Sequence, residues 1–204
     1  MGGSNVIRLP GAMDFFFVET ARNLTLMVFI LVDTHTKEIL SLRVHEGRYG
    51  IDSYWVAGTI AQAFARFKRR PQNLIHDRDP LFKGQVMRLC SVAEIKELKI
   101  PPMYPVMGCF VERTIQSVKF ELTHHIRVRD GDELQKYLDE YQLWFNNYRP
   151  HQAIGGLTPT DFSNGKTHPE PISIAELKQK KLKRTTFADG LLAAYQLVDI
   201  KKAA

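Results

Sequence analysis

The sequence predicts a mixed α/β fold, a five-stranded sheet of three antiparallel strands followed by parallel ones, with helices on both faces. Three strand-like runs follow one another with short breaks, at 13–20, 24–33 and 38–44. Helical periodicity then alternates with two short strand runs over the next eighty residues. Strands joined by short links pair antiparallel, whereas strands joined through helices pair parallel by right-handed crossovers.

Each element has a local cause. "MDFFFVET" and "LTLMVFILVD" are dense in aromatic and β-branched residues and flank a polar break at Ala21–Asn23, which reads as a hairpin. In "EILSLRV", Leu40, Leu42 and Val44 alternate with Ser41 and Arg43, the pattern of a half-buried strand. Val56, Ile60, Ala63, Phe64 and Phe67 then fall at helical spacing, from Asp52 or Ser53 to a stop before Pro71. A short strand at Leu74 and Ile75 precedes a second helix over 80–95, carried by Phe82, Val86 and Leu89, and "ELKI" forms the last strand. Beyond the loop "PPMYPVMG", Val111, Ile115, Val118 and Leu122 repeat as one apolar stripe. The final long helix presents Leu134, Leu138, Tyr141, Phe145 and Tyr148 on one face, with Asp132 as its expected N-cap and Pro150 as its stop.

Composition narrows the classes of function. With 44% hydrophobic and 25% charged residues among 204, the chain is long enough for one main core and too ordered in composition for wholesale disorder. The net charge of +6 favours polyanionic partners. "LTLMVFILV" is far short of the roughly 20 apolar residues a membrane span requires. "MGGSNV" has neither a signal peptide's apolar stretch nor a myristoylation pattern, so a cytoplasmic, nucleoid-associated location is expected. Cys90 and Cys109 offer neither a disulfide framework nor a zinc quartet and read as packing thiols. No internal repeat is evident. The expected organisation is an N-terminal extension or cloning remnant at 1–11, a core at 12–162, and a basic C-terminal tail at 163–204.

The chemistry points to three acids on separate segments. Asp77 follows a parallel strand directly, and ligand-contacting groups collect at such carboxyl ends. Asp14 lies on the expected central strand, a costly place for a carboxylate without a partner, and Glu112 opens the helix that returns to the same sheet region. Two carboxylates about 4 Å apart repel by roughly 4 kcal/mol at an effective dielectric of 20, and a divalent cation removes that conflict. Oxygen donors without a His or Cys cluster favour Mg²⁺ or Mn²⁺.

Four fragments in order carry a family resemblance: "MDFFFVET" with Asp14, "LIHDRDPLF" with Asp77 and Phe82, "PVMGCFVERTIQSVKFEL" with Glu112, and "WFNNYRPHQAIGGLTPTDF". The chain resembles the integrase core domain of bacterial insertion-sequence transposases, DDE recombinases related to retroviral integrases, over about residues 12–162. Thirty-four residues separate Asp77 from Glu112, as that pattern expects. The resemblance implies an RNase H-like fold. It implies that Asp14, Asp77 and Glu112 hold two Mg²⁺ or Mn²⁺ ions with DNA bound, for 3′-end processing and strand transfer. It further implies transposon-end and target DNA as partners, a homo-oligomer, and a helix-turn-helix DNA-binding region upstream or on a separate subunit. The sequence departs from the pattern at Gly108, where an Asn is common.

Blander readings stand beside these. Asp77 is also a plain turn aspartate, Asp14 an exposed strand position, and Glu112 a first-turn glutamate favoured by the helix dipole. Asp79, directly before Pro80, reads as an N-cap, and His76 as a packed strand residue. Arg78 and Arg113, flanking Asp77 and Glu112, and Gln116 and Lys119, one helix face beyond Glu112, are candidate DNA contacts or a solvated surface. Arg149 and His151 of "YRPHQ" face DNA or belong to a turn, and Lys180, Lys181, Lys183 and Arg184 form a basic run that contacts DNA or is simply solvated. "RFKRR" at 66–70 reads as a response to the helix dipole.

Overall fold

The computed structural model describes residues 10–45, 50–100, 108–168 and 171–200. Strands β1 (Gly11–Glu19), β2 (Thr25–Asp33) and β3 (Ile39–His45) form an antiparallel meander. Helix α1 (Ser53–Phe67) leads to β4 (Asn73–His76), and α2 (Gln85–Val92) leads to β5 (Lys96–Lys99), both parallel additions. The order β3-β2-β1-β4-β5 puts β1 at the centre of the expected mixed sheet. The chain continues through α3 (Cys109–Val118), α4 (Gly131–Asn147) and α5 (Pro159–Ser163).

Strand alternation sorts the core into two layers. Ala12, Phe16 and Val18 of β1 pack with Val111, Ile115 and Val118 of α3 and with Leu134, Leu138, Tyr141 and Phe145 of α4. Met13 faces the opposite layer, with Val56, Ile60 and Ala63 of α1 and Val86 and Cys90 of α2. Full burial of such side chains contributes roughly 1.5–3 kcal/mol each. Asp14 shares the parity of Ala12 and Phe16 and therefore lies on the α3 side of the sheet.

Edge strand β3 is closed by amide side chains of α4. Asn146 accepts from the Ile39 N–H at 2.9 Å and donates to the Ile39 carbonyl at 2.9 Å, which also accepts from Gln142 at 2.8 Å. Gln135 accepts from the Val44 N–H at 2.8 Å and donates to the Leu42 carbonyl at 3.0 Å. These bonds satisfy backbone groups that an open edge would offer to another strand. At the other end of β3, buried Glu38 pairs with Arg69, which follows α1 and also donates to Ser163 of α5.

Three expectations change. The helix read over 80–95 is interrupted: Pro80–Phe82 is a 3₁₀ turn, and Gly84 sits at φ 61° before α2 begins. A Cβ at Gly84 would strain that backbone and stand 3.2 Å from Ser53 Oγ. The N-cap of α4 is Asp130, not Asp132, because only Asp130 can accept from the N3 amide, that of Glu133, at 2.9 Å. Asp132 lies in the first turn, where its charge complements the dipole. The basic segment expected as a tail is built into structure: α6 (Ile174–Leu177) precedes a hairpin of β6 (Lys180–Phe187) and β7 (Leu192–Asp199). The turn end of that hairpin joins the α4 core through Phe187, Ala188, Leu192 and Ala194, and Trp144 Nε1 donates to the Ala193 carbonyl at 3.0 Å.

The Ile39 N–H has no sheet partner to replace Asn146. Asn146→Ala is therefore expected to cost about 1–3 kcal/mol, the penalty of a buried unsatisfied group, read as a lower urea midpoint at unchanged m-value.

Candidate metal and DNA site

Register sets the first two acids side by side. β1 and β4 pair Gly11 with Leu74 and Ala12 with Ile75 in parallel, so two residues further Asp14 stands level with Asp77. Asp14 is half-buried, and its carboxyl is pushed up to about 6. Burial is the main cause; the Phe15 N–H, 2.7 Å from Oδ1, opposes it, and the charges of Asp77, Glu112 and Asp79 add to it. The three acids predicted from sequence thus share one electrostatic neighbourhood.

The two aspartates of "LIHDRDPLF" do different local work. Asp77 is exposed, and its Oδ1 accepts from the Asp79 N–H at 2.9 Å, fixing the turn after β4. Asp79 accepts from the Leu81 N–H at 2.8 Å and caps the Pro80–Phe82 turn, as expected of a residue before proline. His76 is buried against Phe82, as its packed reading anticipates. It also does something the sequence does not reveal: Nδ1–H donates to the Asp77 carbonyl at 2.6 Å, and Nε2 lies 3.3 Å from Glu97 Oε2 on β5. The backbone at Asp77 is held from two strands.

Glu112 is exposed in the first turn of α3. Its carboxylate folds back over Gly108, where an added Cβ would lie 3.0 Å from Glu112 Oε1 and 3.2 Å from Ile100 Cδ1. The absent side chain at 108 therefore makes the space Glu112 occupies. The loop expected before α3, at 101–107, lies outside the described residues. Among the described residues no three His, Cys, Asp or Glu side chains stand close enough to hold one ion together. The donor set still fits a hard divalent cation in its chemistry: three carboxylates, with repulsion already raising the Asp14 pKa. A shared ion requires the Glu112 side chain to leave Gly108.

The candidate DNA contacts are distributed. Arg78 is exposed beside Asp77. Gln116 is exposed on the Glu112 face of α3, and Lys119 follows where the helix widens into a π turn (Lys119–Thr123), with Nζ 5.9 Å from the centroid of Phe16. Arg149 is not free: Glu121 accepts from its Nη2 at 2.7 Å and its Nε at 3.0 Å. His151 is lowered to about 4 by burial first and by the Arg149 charge next, partly offset by the Phe145 carbonyl. Both line a cavity with Arg113, whereas Lys180, Lys181, Lys183 and Arg184 lie apart on β6, Lys180 paired with Asp199 at 3.2 Å. Lys37 lines the same cavity and carries no sequence signal, since its approach to α3 is a long-range consequence of the fold.

Comparison with known proteins agrees with this architecture. Residues 94–159 match the family model described as integrase core domain. A Burkholderia multivorans protein, "Insertion element IS407 uncharacterized 31.7 kDa protein", is 24% identical over 164 residues, which cover 77% of this chain and 58% of that one. The chain spans less than two thirds of the length of the curated relatives it matches. The HTLV-2 integrase catalytic core domain in complex with magnesium has a TM-score of 0.58 at 15% identity, covering 77% of this chain and 97% of that one. The Mos1 mariner transposase catalytic domain has a TM-score of 0.55 at 13% identity, covering 67% and 70%. Sheet order and these likenesses show an RNase H-like fold, the one shared by these integrase and transposase catalytic domains. Over residues 94–159 the chain is similar to the integrase core domain family, and over a longer stretch to a protein of an insertion element. Among the described residues no helix is long and apolar enough to cross a membrane.

The raised Asp14 pKa has a defined sign in stability. Between about 4 and 6 the folded chain binds more protons than the unfolded one, so stability falls as pH rises through that window. In metal-free buffer Asp14→Asn should melt higher than wild type at pH 7.5, with the difference disappearing by pH 4; equal melting curves at pH 7.5 would refute the crowding at Asp14.

Proposed function

We propose that the chain is the catalytic core of a DNA strand-transfer enzyme, in which Asp14, Asp77 and Glu112 are the metal-ligating and catalytic acids. The observation that supports this most is that Asp14 and Asp77 stand level on neighbouring strands and that the charges of Asp77 and Glu112, from separate segments, both act on Asp14. Mg²⁺ or Mn²⁺ held there supplies activation of an attacking oxygen and stabilisation of a leaving oxygen in phosphodiester chemistry.

The chain's own residues supply position and charge. Asp77 is kept in place by its turn and by His76. Asp14, its pKa raised to about 6 by burial and next by the neighbouring acids, would be held ionised more firmly beside a bound cation. Glu112 closes the set by swinging off Gly108. Arg78, Gln116 and Lys119 border the acids and hold the phosphates on either side of the reacting bond. The basic strand with Lys180, Lys181, Lys183 and Arg184 follows the DNA further out, and residues 12–162 are the catalytic unit. Strand transfer joins two DNA ends to a target, so a homo-oligomer and an upstream or separate helix-turn-helix subunit complete the assembly in the bacterial cytoplasm.

A second reading, a core that holds DNA without cutting it, draws on the present position of Glu112. The full chain incubated with Mg²⁺ or Mn²⁺ and labelled DNA carrying candidate element ends separates them. The strand-transfer reading expects products joined to a second DNA, lost about a hundredfold or more in Asp77→Asn. Asp79→Ala should keep the chemistry and cost roughly 0.5–2 kcal/mol as a lost cap. Hydrolysis without joining points to a nuclease on the same fold, and DNA binding with neither product to the non-catalytic core. Loss of chemistry in Asp79→Ala but not in Asp77→Asn overturns the assignment of the pair.

A further inference from the structure

Helix α3 carries three stripes. Val111, Ile115 and Val118 are buried, and Glu112, Gln116 and Lys119 follow one another along a second face. Phe110, Arg113, Thr114 and Ser117 form a third stripe, one residue and about 100° around the helix from Glu112. This stripe walls a cavity of about 170 Å³ whose other sides are Lys37, from the turn between β2 and β3, and Phe145, Arg149 and His151 at the end of α4.

The cavity gathers cations. Lys37 donates to the Thr34 carbonyl and lies over the Phe110 ring at 4.4 Å; burial pulls its pKa down, Asp33 and then Cys109 oppose that, and the charge of Arg113 adds a smaller downward pull. Among the described residues neither Lys37 nor Arg113 forms an ion pair. The opposite wall is fixed, because Glu121 holds Arg149 and Arg149 Nη1 lies 3.2 Å from His151 Nδ1. An arginine can only donate, so Nδ1 accepts and the neutral His151 carries its proton on Nε2. That buried Nε2–H makes no hydrogen bond of ordinary geometry. Two cations without an ion pair and a buried N–H with no well-formed hydrogen bond, around one concavity, are an arrangement that an anion relieves.

We infer that this cavity is a phosphate-binding site, separate from the acidic set, in which Lys37 and Arg113 hold a phosphate group of the DNA backbone against the Arg149–His151 wall. The DNA origin of that phosphate rests on the strand-transfer reading; the anion site itself does not. In that reading one helix serves both ends of the task, with Glu112 directed to the reacting phosphodiester and Arg113 anchoring a backbone phosphate about 100° away around the helix.

The test uses the full chain in EDTA, with fluorescence anisotropy of a labelled DNA duplex as a function of salt and, in parallel, melting with inorganic phosphate against chloride at matched ionic strength. Lys37→Gln and Arg113→Gln should each weaken duplex binding about five- to tenfold and lower the salt slope by about 1, the signature of one lost phosphate contact. Lys136→Gln, which removes the same charge from an exposed position on α4, should do neither. Duplex binding unchanged in both cavity variants overturns the inference and leaves the strand-transfer reading standing. Wild type that binds no duplex, yet is stabilised by phosphate only while Lys37 and Arg113 are present, upholds the anion site and removes its DNA assignment. No response to either ligand overturns the site.

Discussion

The parallel register between β1 and β4 is the constraint from which the rest of the site follows. Ala12 opposite Ile75 puts Asp14 beside Asp77, and a slip of one residue would turn Asp14 to the other face of the sheet. That register is held from both sides. β1 pairs with β2 along its whole length, and its two faces alternate into two separately packed layers. A strand so over-determined can carry a half-buried carboxylate with a raised pKa, because the surrounding packing exceeds the local cost.

Helices α3 and α4 convert this placement into a site. The apolar stripe of α3 fixes the direction of Glu112 to one side and of Arg113 to another, so a single packing decision positions both an acid and a cation. Helix α4 reaches further than its apolar face suggests. Its Gln135, Gln142 and Asn146 close the edge of β3 while Arg149 and His151, just beyond its end, build the wall of the cavity. Sheet closure and cavity therefore depend on the same helix.

The fold was legible because its signals are local: period-2 runs for the meander, period-3.6 stripes for α1, α3 and α4, and proline stops. The acids were singled out because "LIHDRDPLF" and "PVMGCFVERT" put them just after a predicted strand and at the start of a predicted helix, and the structure bears out those two local positions. The misses have physical causes. The second helix was read through Gly84 because apolar spacing continues across it, whereas the positive φ is a tertiary outcome. Asp132 and Asp130 are both capping residues, and only the position of the N3 amide separates them. The amides on β3, the Asp77 tie through His76, and Lys37 beside Arg113 join residues far apart in the chain or in backbone detail, where no periodicity exists to read. The hairpin at the C-terminal end was hidden by its charge: Lys180–Arg184 is too basic to suggest a strand, and only Phe187 with Leu192 and Ala194 anchors it.

The central claim is that Asp14 and Asp77, aligned by this register, hold a divalent cation together with Glu112 of α3. Mn²⁺ binding to the full chain, followed by water-proton relaxation, tests it without needing any DNA chemistry. The account predicts saturable binding that weakens at least tenfold in each of Asp14→Asn, Asp77→Asn and Glu112→Gln, equivalent to about 1.4 kcal/mol or more, and that Asp79→Ala leaves intact. Binding that survives Asp14→Asn or Asp77→Asn, or that depends on Asp79 instead, would contradict it.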